Sequence, residues 1–436
     1  MKLFRLLITL LLTFVVVISF AQKAWGFCGF YVAKADTKLY NQASQVVIAR
    51  NGDRTILTMA NDYQGDVKDF ALVVPVPVVL QQEQVRVGDP QIIKRLDDFS
   101  APRLVEYFDR DPCEAFSTTT QLRGRAIFTL EGRVSELEDR AFGVTVESRF
   151  SVEEYDILIL SAKESDGLET WLRQNGYKIP RGASELLRPY IRQNMKFFVA
   201  KVNLEEFDKT GSQFLRPLQM AYESSTFMLP IRLGMMNATT DQDLIVYVLS
   251  PKGQAEITNY RTVNVPSDAE IPVFVKDEFN DFYKAMFETA YIREGKKVAF
   301  REYAWDMANC DPCSAQPLNR EELKKAGIFW LAPNTFNNVF ITRLHVRYSR
   351  QKFPEDLMFQ ETSNRQQFQG RYILRHPFTG EMKCEKGKQY QQSLSKRFDQ
   401  EAQTLARLTA WKLQDIHQKI NTAQNQPTRW WRTIWP

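Results

Sequence analysis

The sequence predicts an α+β fold: an antiparallel strand-rich core, several flanking helices and a long C-terminal helix. Three observations predict it. β-rich and helical runs follow one another without regular alternation, which argues against a doubly wound sheet. Two early β-rich runs meet at Asn51-Gly52, a pair favoured where a tight turn needs positive φ, so they read as an antiparallel hairpin. Two stretches, 277–291 and about 388–420, carry apolar side chains at helical spacing.

The elements follow in order. "SQVVIARNGDRTILTM" supplies the hairpin strands, and the polar loop "ANDYQGDVKD" leads to a third strand, Phe70 to Val76, ended by Pro75 and Pro77. Asp89-Pro90 reads as the cap and first residue of a helix whose inner face holds Ile92, Ile93, Leu96 and Phe99. Residues 114–150 are polar and weakly patterned, with a strand at "FGVTVESRF"; "YDILILS" is a buried strand. Asp166 and Glu169 predict a capping box for the next helix, stopped at Asn175-Gly176. A helix over about 183–195 presents Leu186, Leu187, Tyr190 and Ile191, with Pro189 inside it. "KFFVAKV", "LQMAY", "FMLPIRL" and "DLIVYVLS" are strands. Helix 277–291 aligns Phe279, Phe282, Tyr283, Met286, Phe287 and Ala290. Asn319 and Glu322 predict a second capping box, with Leu318 stapled onto Leu323. "NVFITRLHVRYS" alternates, with Phe340, Leu344, Val346 and Tyr348 on one face against Arg343, His345 and Arg347 on the other. The tail helix bears Leu394, Phe398, Ala402, Leu405 and Leu408 before the closing "TRWWRTIWP".

The N-terminus has the layout of a secretory signal peptide: Lys2 and Arg5, an apolar run from Leu6 to about Phe20, then small residues at Ala21, Ala24 and Gly26. The mature chain is expected to start near Phe27, with cleavage after Ala21 as the alternative and a retained anchor as a weaker one. Losing 1–26 removes Lys2, Arg5 and Lys23 and no acid, so the formal charge falls from +5 to +2. With acids and bases interleaved throughout, no nucleic-acid footprint remains. Beyond the leader, the expected organisation is an N-terminal hairpin and helix unit at 27–113, a central and C-terminal α+β region at 114–385, and a helical tail at 386–436.

Five cysteines, Cys28, Cys113, Cys310, Cys313 and Cys384, are the chemistry that stands out. Export implies an oxidising compartment, where cysteines usually pair, although five leaves one over. The preferred arrangement is Cys28 with Cys113 and Cys384 with one of the pair in "NCDPCSA". A thiol-disulfide centre at Cys310 and Cys313 is the competing reading; Asp311 counts against it by raising the neighbouring thiol. A zinc set of Cys310, Cys313, His376 and Cys384 is a third, with generic spacing.

Other candidates have plainer explanations. His345, His376 and His417 have no nucleophile placed beside them by sequence and read as solvated or core-edge residues. Asp62, Asp66 and Asp69 lack the alternating-oxygen pattern of a calcium loop. "GLETWLRQNGY" is similar over about ten residues to helices of small peptidoglycan-binding repeats, but Trp171 and Leu172 are explained by core packing. Trp430, Trp431 and Trp435 beside Arg429 and Arg432 suit a membrane interface or a frayed end.

The strings "FCGFYVAKADTKLYNQASQVVIARNGDRTILTMANDYQGDVKDFALVVPVPV", "SAPRLVEYFDRDPC", "FMLPIRLGM", "WDMANCDPC" and "RYILRHPFTGEMKC" resemble an uncharacterised family of exported bacterial proteins, domain of unknown function 2330, over about residues 27–410. The resemblance implies an exported protein whose cysteines recur with these strings, and it carries over no catalytic residue. The function expected is that of a non-enzymatic binding or structural protein of the periplasm or cell envelope. Its expected partner is a protein or wall polymer, with peripheral membrane contact through the tail, no nucleic acid and no cofactor. A thiol-disulfide oxidoreductase is the alternative.

Overall fold

A computed structural model describes residues 30–33, 40–41, 44–60, 63–64, 70–113, 144–175, 183–210, 215–236, 241–311, 313–332 and 338–424. The leader, Cys28, Asp62, Asp66, Asp69 and the three C-terminal tryptophans lie outside the described residues.

Strand Gln242–Ser250 is buried at every position. Its apolar run from Leu244 to Leu249 explains why: such a strand is stable only with both faces covered. It pairs antiparallel with Phe340–Tyr348 and parallel with Ser44–Asn51. Beyond these, Val298–Asp306 and Arg261–Asn264 extend the sheet on one side; Arg54–Ala60, Leu218–Glu223 and Val85–Val87 extend it on the other. The two-residue strand Phe368–Gln369 also pairs with Val298–Asp306.

A second, antiparallel sheet runs Phe30–Ala33, Phe70–Val76, Lys196–Val202, Tyr155–Ala162 and Val144–Val152. Alternation along its strands sorts the layers. Leu72, Val74, Ile157, Ile159 and Phe198 meet Val46, Ile48, Leu57 and Val246 of the central sheet in one core. Val73, Leu160, Phe197 and Val199 point the other way, under Leu168 and Leu172 of helix Ser165–Gln174 and Leu187 and Tyr190 of helix Ala183–Arg192.

The far face of the central sheet is also covered. Helix Pro90–Ser100 buries Ile92, Ile93, Leu96 and Phe99 against Val47, Ala49, Ile245 and Ile341. Helix Phe279–Arg293 packs on Phe300 and Val298, backed by helices Glu385–Thr409 and Leu413–Gln424. A parallel three-stranded sheet, Ala269–Ile271, Arg371–His376 and Arg103–Phe108, adjoins this layer. The fold is α+β, with its long helix at 385–409. Among the described residues no helix is long and apolar enough to cross a membrane.

Local chemistry sets the element ends. Asp89 caps its helix, its side chain accepting from the Gln91 N–H at 2.9 Å. The Asn319–Glu322 capping box forms, with Asn319 Oδ1 accepting from the Glu322 N–H at 3.0 Å and Glu322 Oε2 accepting from the Asn319 N–H at 2.8 Å. The box expected at Asp166 and Glu169 does not form. The helix starts at Ser165, which places Asp166 inside the first turn, and Glu169 pairs with Arg173 instead. The hairpin turn is displaced by one residue: Asn51 pairs with Arg54, so Gly52 and Asp53 are the central pair, and Gly52 takes φ +61°. Positive φ at the first central residue alone is the pattern of a type II′ turn. The tail is two helices, interrupted where Ala410 adopts φ +58°.

Gly327 follows helix Arg320–Lys325 at φ +98°, and an added Cβ there would lie 2.8 Å from Ile56 Cγ2 of the central sheet. We expect Gly327→Ala to lower stability by about 1–3 kcal/mol through strain and overpacking together. At Gly52 the same change meets nothing within 4 Å, so urea unfolding should show Gly327→Ala as the costlier substitution.

Candidate functional site

The arginine and histidine face of strand Phe340–Tyr348 is not solvated, contrary to what its alternation suggests. Arg343 and His345 are buried and Arg347 is half-buried, because this face lies under helices 90–100 and 279–293 instead of water. Burying three such groups demands partners, and neighbouring elements supply them.

Arg343 donates through Nε to Glu302 Oε2 at 2.6 Å and through Nη1 to Asp97 Oδ1 at 2.6 Å. His345 Nδ1 lies 2.8 Å from Glu302 Oε1, and its Nε2 lies 2.8 Å from Asp243 Oδ1. Arg347 grips both Asp243 oxygens at 2.9 Å and reaches Glu288 Oε2 at 2.5 Å. From Asp97 to Glu288 the signs alternate without interruption. The two ends reach solvent, with Asp97 38% and Glu288 45% exposed, whereas Glu302 and Asp243 are 1% and 7% exposed. Tyr247 O–H donates to Asp97 at 2.8 Å, and Tyr283 O–H donates to Glu302.

A β-bulge aims Glu302 correctly. Phe300 pairs with His345 and Tyr303 with Arg343, leaving Glu302 as the extra residue between them. Helix 279–293 then closes the face: the Phe287 ring stacks on His345 with centroids 3.9 Å apart, and Arg347 lies 4.8 Å from the Phe287 centroid.

Burial alone would raise the Glu302 carboxyl, but Arg343, His345 and the Tyr283 hydroxyl hold it down at about 2. Asp243 is likewise held low against its burial, by His345 and Arg347. Burial would lower His345, yet Glu302 and Asp243 raise it above its ordinary value; both ring nitrogens face carboxylate oxygens, which only accept, and this geometry suits a ring that donates from each. With both nitrogens committed and its face covered by Phe287, His345 ties strands 298–306 and 242–250 to its own.

A second cluster has open space beside it. Arg397, Gln400, Glu401, Thr404 and Arg407 line one face of helix 385–409, opposite Ser267, Asp268, Ala269 and Glu270, around a cavity of about 330 Å³. Arg397 Nη1 donates to Asp109 at 2.5 Å; Glu270 accepts from Arg375 at 2.7 Å and Asp268 from Arg371 at 2.5 Å. Glu401 is 3% exposed. Its Oε1 forms an ion pair with Arg397 Nε at 3.5 Å, outside hydrogen-bond geometry, and Arg397 Nη2 has no hydrogen-bond partner. Burial pushes the Glu401 carboxyl up to about 7, with Arg397 opposing that and Glu270 adding to it.

The cysteines pair differently from expectation. Cys113 bonds to Cys384 across 271 residues, with Cα atoms 5.9 Å apart, and Cys310 bonds to Cys313 at 5.0 Å. The expected Cys28–Cys113 pair and a Cys384 bridge to the C-x-x-C motif are therefore corrected. The cause is topological. Strands 103–108 and 371–376 run parallel as neighbours, so the segments leaving their ends emerge on the same side and bring Cys113 to Cys384. Cys384 also caps helix 385–409, its Sγ accepting from the Gly387 N–H at 3.2 Å. The zinc set does not assemble: its sulfurs are bonded in pairs, and His376 Nε2 is 2.8 Å from Glu106 with its ring stacked on Phe108. Among the described residues no group of three or more His, Cys, Asp or Glu could hold a metal ion. His417 is half-buried on the last helix, its Nε2 3.3 Å from Asp399 Oδ1. Trp171 is half-buried against the core, as expected.

Glu302, Asp243, Asp97, Arg397 and Glu401 were not singled out by sequence reading. The available signals were a lone Glu within the apolar "VAFREYAW", an Asp opening the buried "DLIVYVLS", and an Arg–Glu pair four apart on an amphipathic helix.

The sequence model of a bacterial family described as an uncharacterised protein conserved in bacteria, DUF2330, matches residues 22–360. Cys384 and helix 385–409 lie beyond that match. No curated protein and no solved structure matches the chain.

Glu302→Leu leaves Arg343 and His345 buried without their shared partner and should cost about 3–5 kcal/mol in urea unfolding. The histidine also imposes a pH signature. Its folded value lies above the ordinary 6.5, so its contribution is whole below that pH and is lost as pH rises through the folded value. The stability difference between wild type and His345→Gln should shrink above pH 6.5. For Glu302 the sign reverses: its contribution is present above 4.5 and is lost as pH falls toward about 2.

Proposed function

We propose that this chain, which belongs to the DUF2330 family of bacterial proteins, is exported and works as a disulfide-braced binding protein of the periplasm or cell envelope. The observation that carries the reading is the Cys113–Cys384 bond. It ties the segment that follows strand 103–108 to the N-cap of helix 385–409, and so holds that helix over the parallel sheet. Bonds of this kind persist in oxidising compartments, which accords with the leader-like layout of residues 1–26. Closing so long a loop contributes about 2–5 kcal/mol. The polar cavity beside the braced helix supplies the space in which a binding protein would take its ligand.

One observation favours a second reading, a thiol-disulfide oxidoreductase. Cys310 and Cys313 bond to each other, and Cys313 is exposed. Against it, the following helix begins only at Arg320, so no helix N-terminus stabilises a thiolate at the motif, and Asp311 opposes one.

Alkylation of native protein, with and without reductant, followed by peptide mapping, tests the brace. Cys113 and Cys384 should be protected until reduced, and Cys113→Ser should cost about 2–5 kcal/mol. Five free thiols in the native protein, or an intact leader in a cytosolic fraction, would overturn the reading. Ready exchange of the Cys310–Cys313 bond with glutathione, together with insulin reduction lost in Cys310→Ser, would establish the second one instead.

A further inference from the structure

We propose that the Cys310–Cys313 bond is a reversible redox modification site, opened by a dithiol reductant that attacks Cys313, and that its opening loosens the end of helix 90–100 beside Asp97. This goes beyond both readings above, because the pair is acted on and does not act. Three observations carry the inference: unequal exposure of the two sulfurs, anchors on either side of them, and a helix cap supplied by the residue that follows.

Cys310 is half-buried and packs into the layer of Leu96, Phe99 and Met307, whereas Cys313 is exposed. Thiol exchange requires access to the sulfur under attack, so Cys313 is the one an incoming thiolate reaches. The attack forms a mixed disulfide at Cys313 and breaks the bond to Cys310, whose sulfur leaves and takes up a proton. The second thiolate of the reductant then displaces the Cys313 sulfur, which is protonated in turn, and the reductant's own sulfurs are left joined. Two electrons and two protons pass from the dithiol to the pair. Acceptors for both new S–H groups are in place: Ala315 O lies 4.0 Å from Cys310 Sγ, and Cys310 O lies 3.4 Å from Cys313 Sγ.

Both flanks are held without the bond. Upstream, Met307 is buried and its N–H donates to Val339 O at 2.8 Å, while Trp305 Nε1 donates to Asn309 Oδ1 at 2.8 Å. Downstream, Leu318 is buried and Asn319 caps the next helix. Cutting the bond therefore frees the stretch between these anchors and spares the fold. That stretch holds helix 90–100. A helix leaves its last four carbonyls without partners of its own. Here the Ser314 hydroxyl donates to Asp98 O at 2.5 Å, and Arg95 Nη2 donates to Gln316 O at 3.2 Å and to Pro317 O at 3.4 Å. Ser314 follows the exposed sulfur directly. Once the covalent tie is gone, residues 313–317 regain conformational freedom, and these hydrogen bonds alone oppose it. Asp97, next to the capped carbonyl, is the carboxylate that serves Arg343 and Tyr247 at one solvent end of the charged line.

Hydrogen exchange read by mass spectrometry on the full protein tests this, with Cys310→Ser/Cys313→Ser as the permanently open form. Amides of residues 96–101 should exchange about threefold faster or more in the double variant, with strand 242–250 unchanged. Dithiothreitol should reproduce the increase in the wild type, and oxidised dithiothreitol should reverse it. Ser314→Ala should speed the same amides with both disulfides intact. Lone Cys313 in Cys310→Ser should alkylate about tenfold faster than lone Cys310 in Cys313→Ser. Unchanged exchange over 96–101 in a double variant that melts cooperatively would overturn the proposal, as would faster alkylation of Cys310. A double variant that no longer melts cooperatively would overturn it too, since the bond would then belong to the fold. Insulin reduction that depends on Cys310 would overturn it in favour of the oxidoreductase. The brace is tested apart: free Cys113 and Cys384 in native protein would sink that reading and leave this one standing.

Discussion

Buried charge must be matched nearly atom for atom, and the alternating line from Asp97 through Arg343, Glu302, His345, Asp243 and Arg347 to Glu288 is where this protein meets that demand. The line crosses five separate segments of chain, strand 340–348 and four others. Asp97 comes from helix 90–100, Glu302 from a bulged strand, Asp243 from the central strand and Glu288 from helix 279–293. A strand slipped by one residue would turn Arg343 and His345 into the opposite core, which is lined mainly by apolar side chains. Register in the middle of the central sheet is thus set by electrostatics on one face and by hydrophobic packing on the other.

That double constraint organises the layers. With Leu344, Val346 and Tyr348 committed to the core between the two sheets, the charged face can only be closed by something that tolerates cations. Helix 279–293 does so with an aromatic stripe: Tyr283 bonds Glu302, Phe287 stacks on His345, and Tyr291 lies 5.7 Å from Arg347. This helix in turn gives helices 385–409 and 413–424 an apolar surface through Met286, Phe287 and Ala290. The C-terminal layer rests on that surface and is pinned at its other end by Cys113–Cys384. The cleft at Glu401 lies where the pinned helix passes the edge of the small parallel sheet, and its polar lining contrasts with the filled interior around it.

Much of the secondary structure was legible because it depends on neighbours in sequence. The Asp89 and Asn319 caps, the buried positions of helix 279–293 and the strand at 155–162 all follow from spacing of three or four residues, or of two. Reading went astray where a local rule had a competitor. The Asp166–Glu169 box yielded to an Arg173 partner. The polar face of strand 340–348 looked solvated because alternation cannot say what lies on the polar side; Asp97 is 246 residues from Arg343, and Asp243 is 102 from His345. The C-x-x-C cysteines were visible at once, but their pairing with each other and the partner of Cys384 were not.

By itself, then, the order of residues determined the α+β class, the Asp89 and Asn319 caps, the existence of the hairpin, the apolar seams and the inventory of sulfur and charge, since these depend on contacts a few residues apart. Only the tertiary structure decided which carboxylates serve Arg343 and His345, that Cys113 finds Cys384, and that Arg397 and Glu401 border open space. Each of these depends on strands far apart in the chain becoming neighbours in a sheet, and pairing of that kind is selected by the burial of whole layers at once.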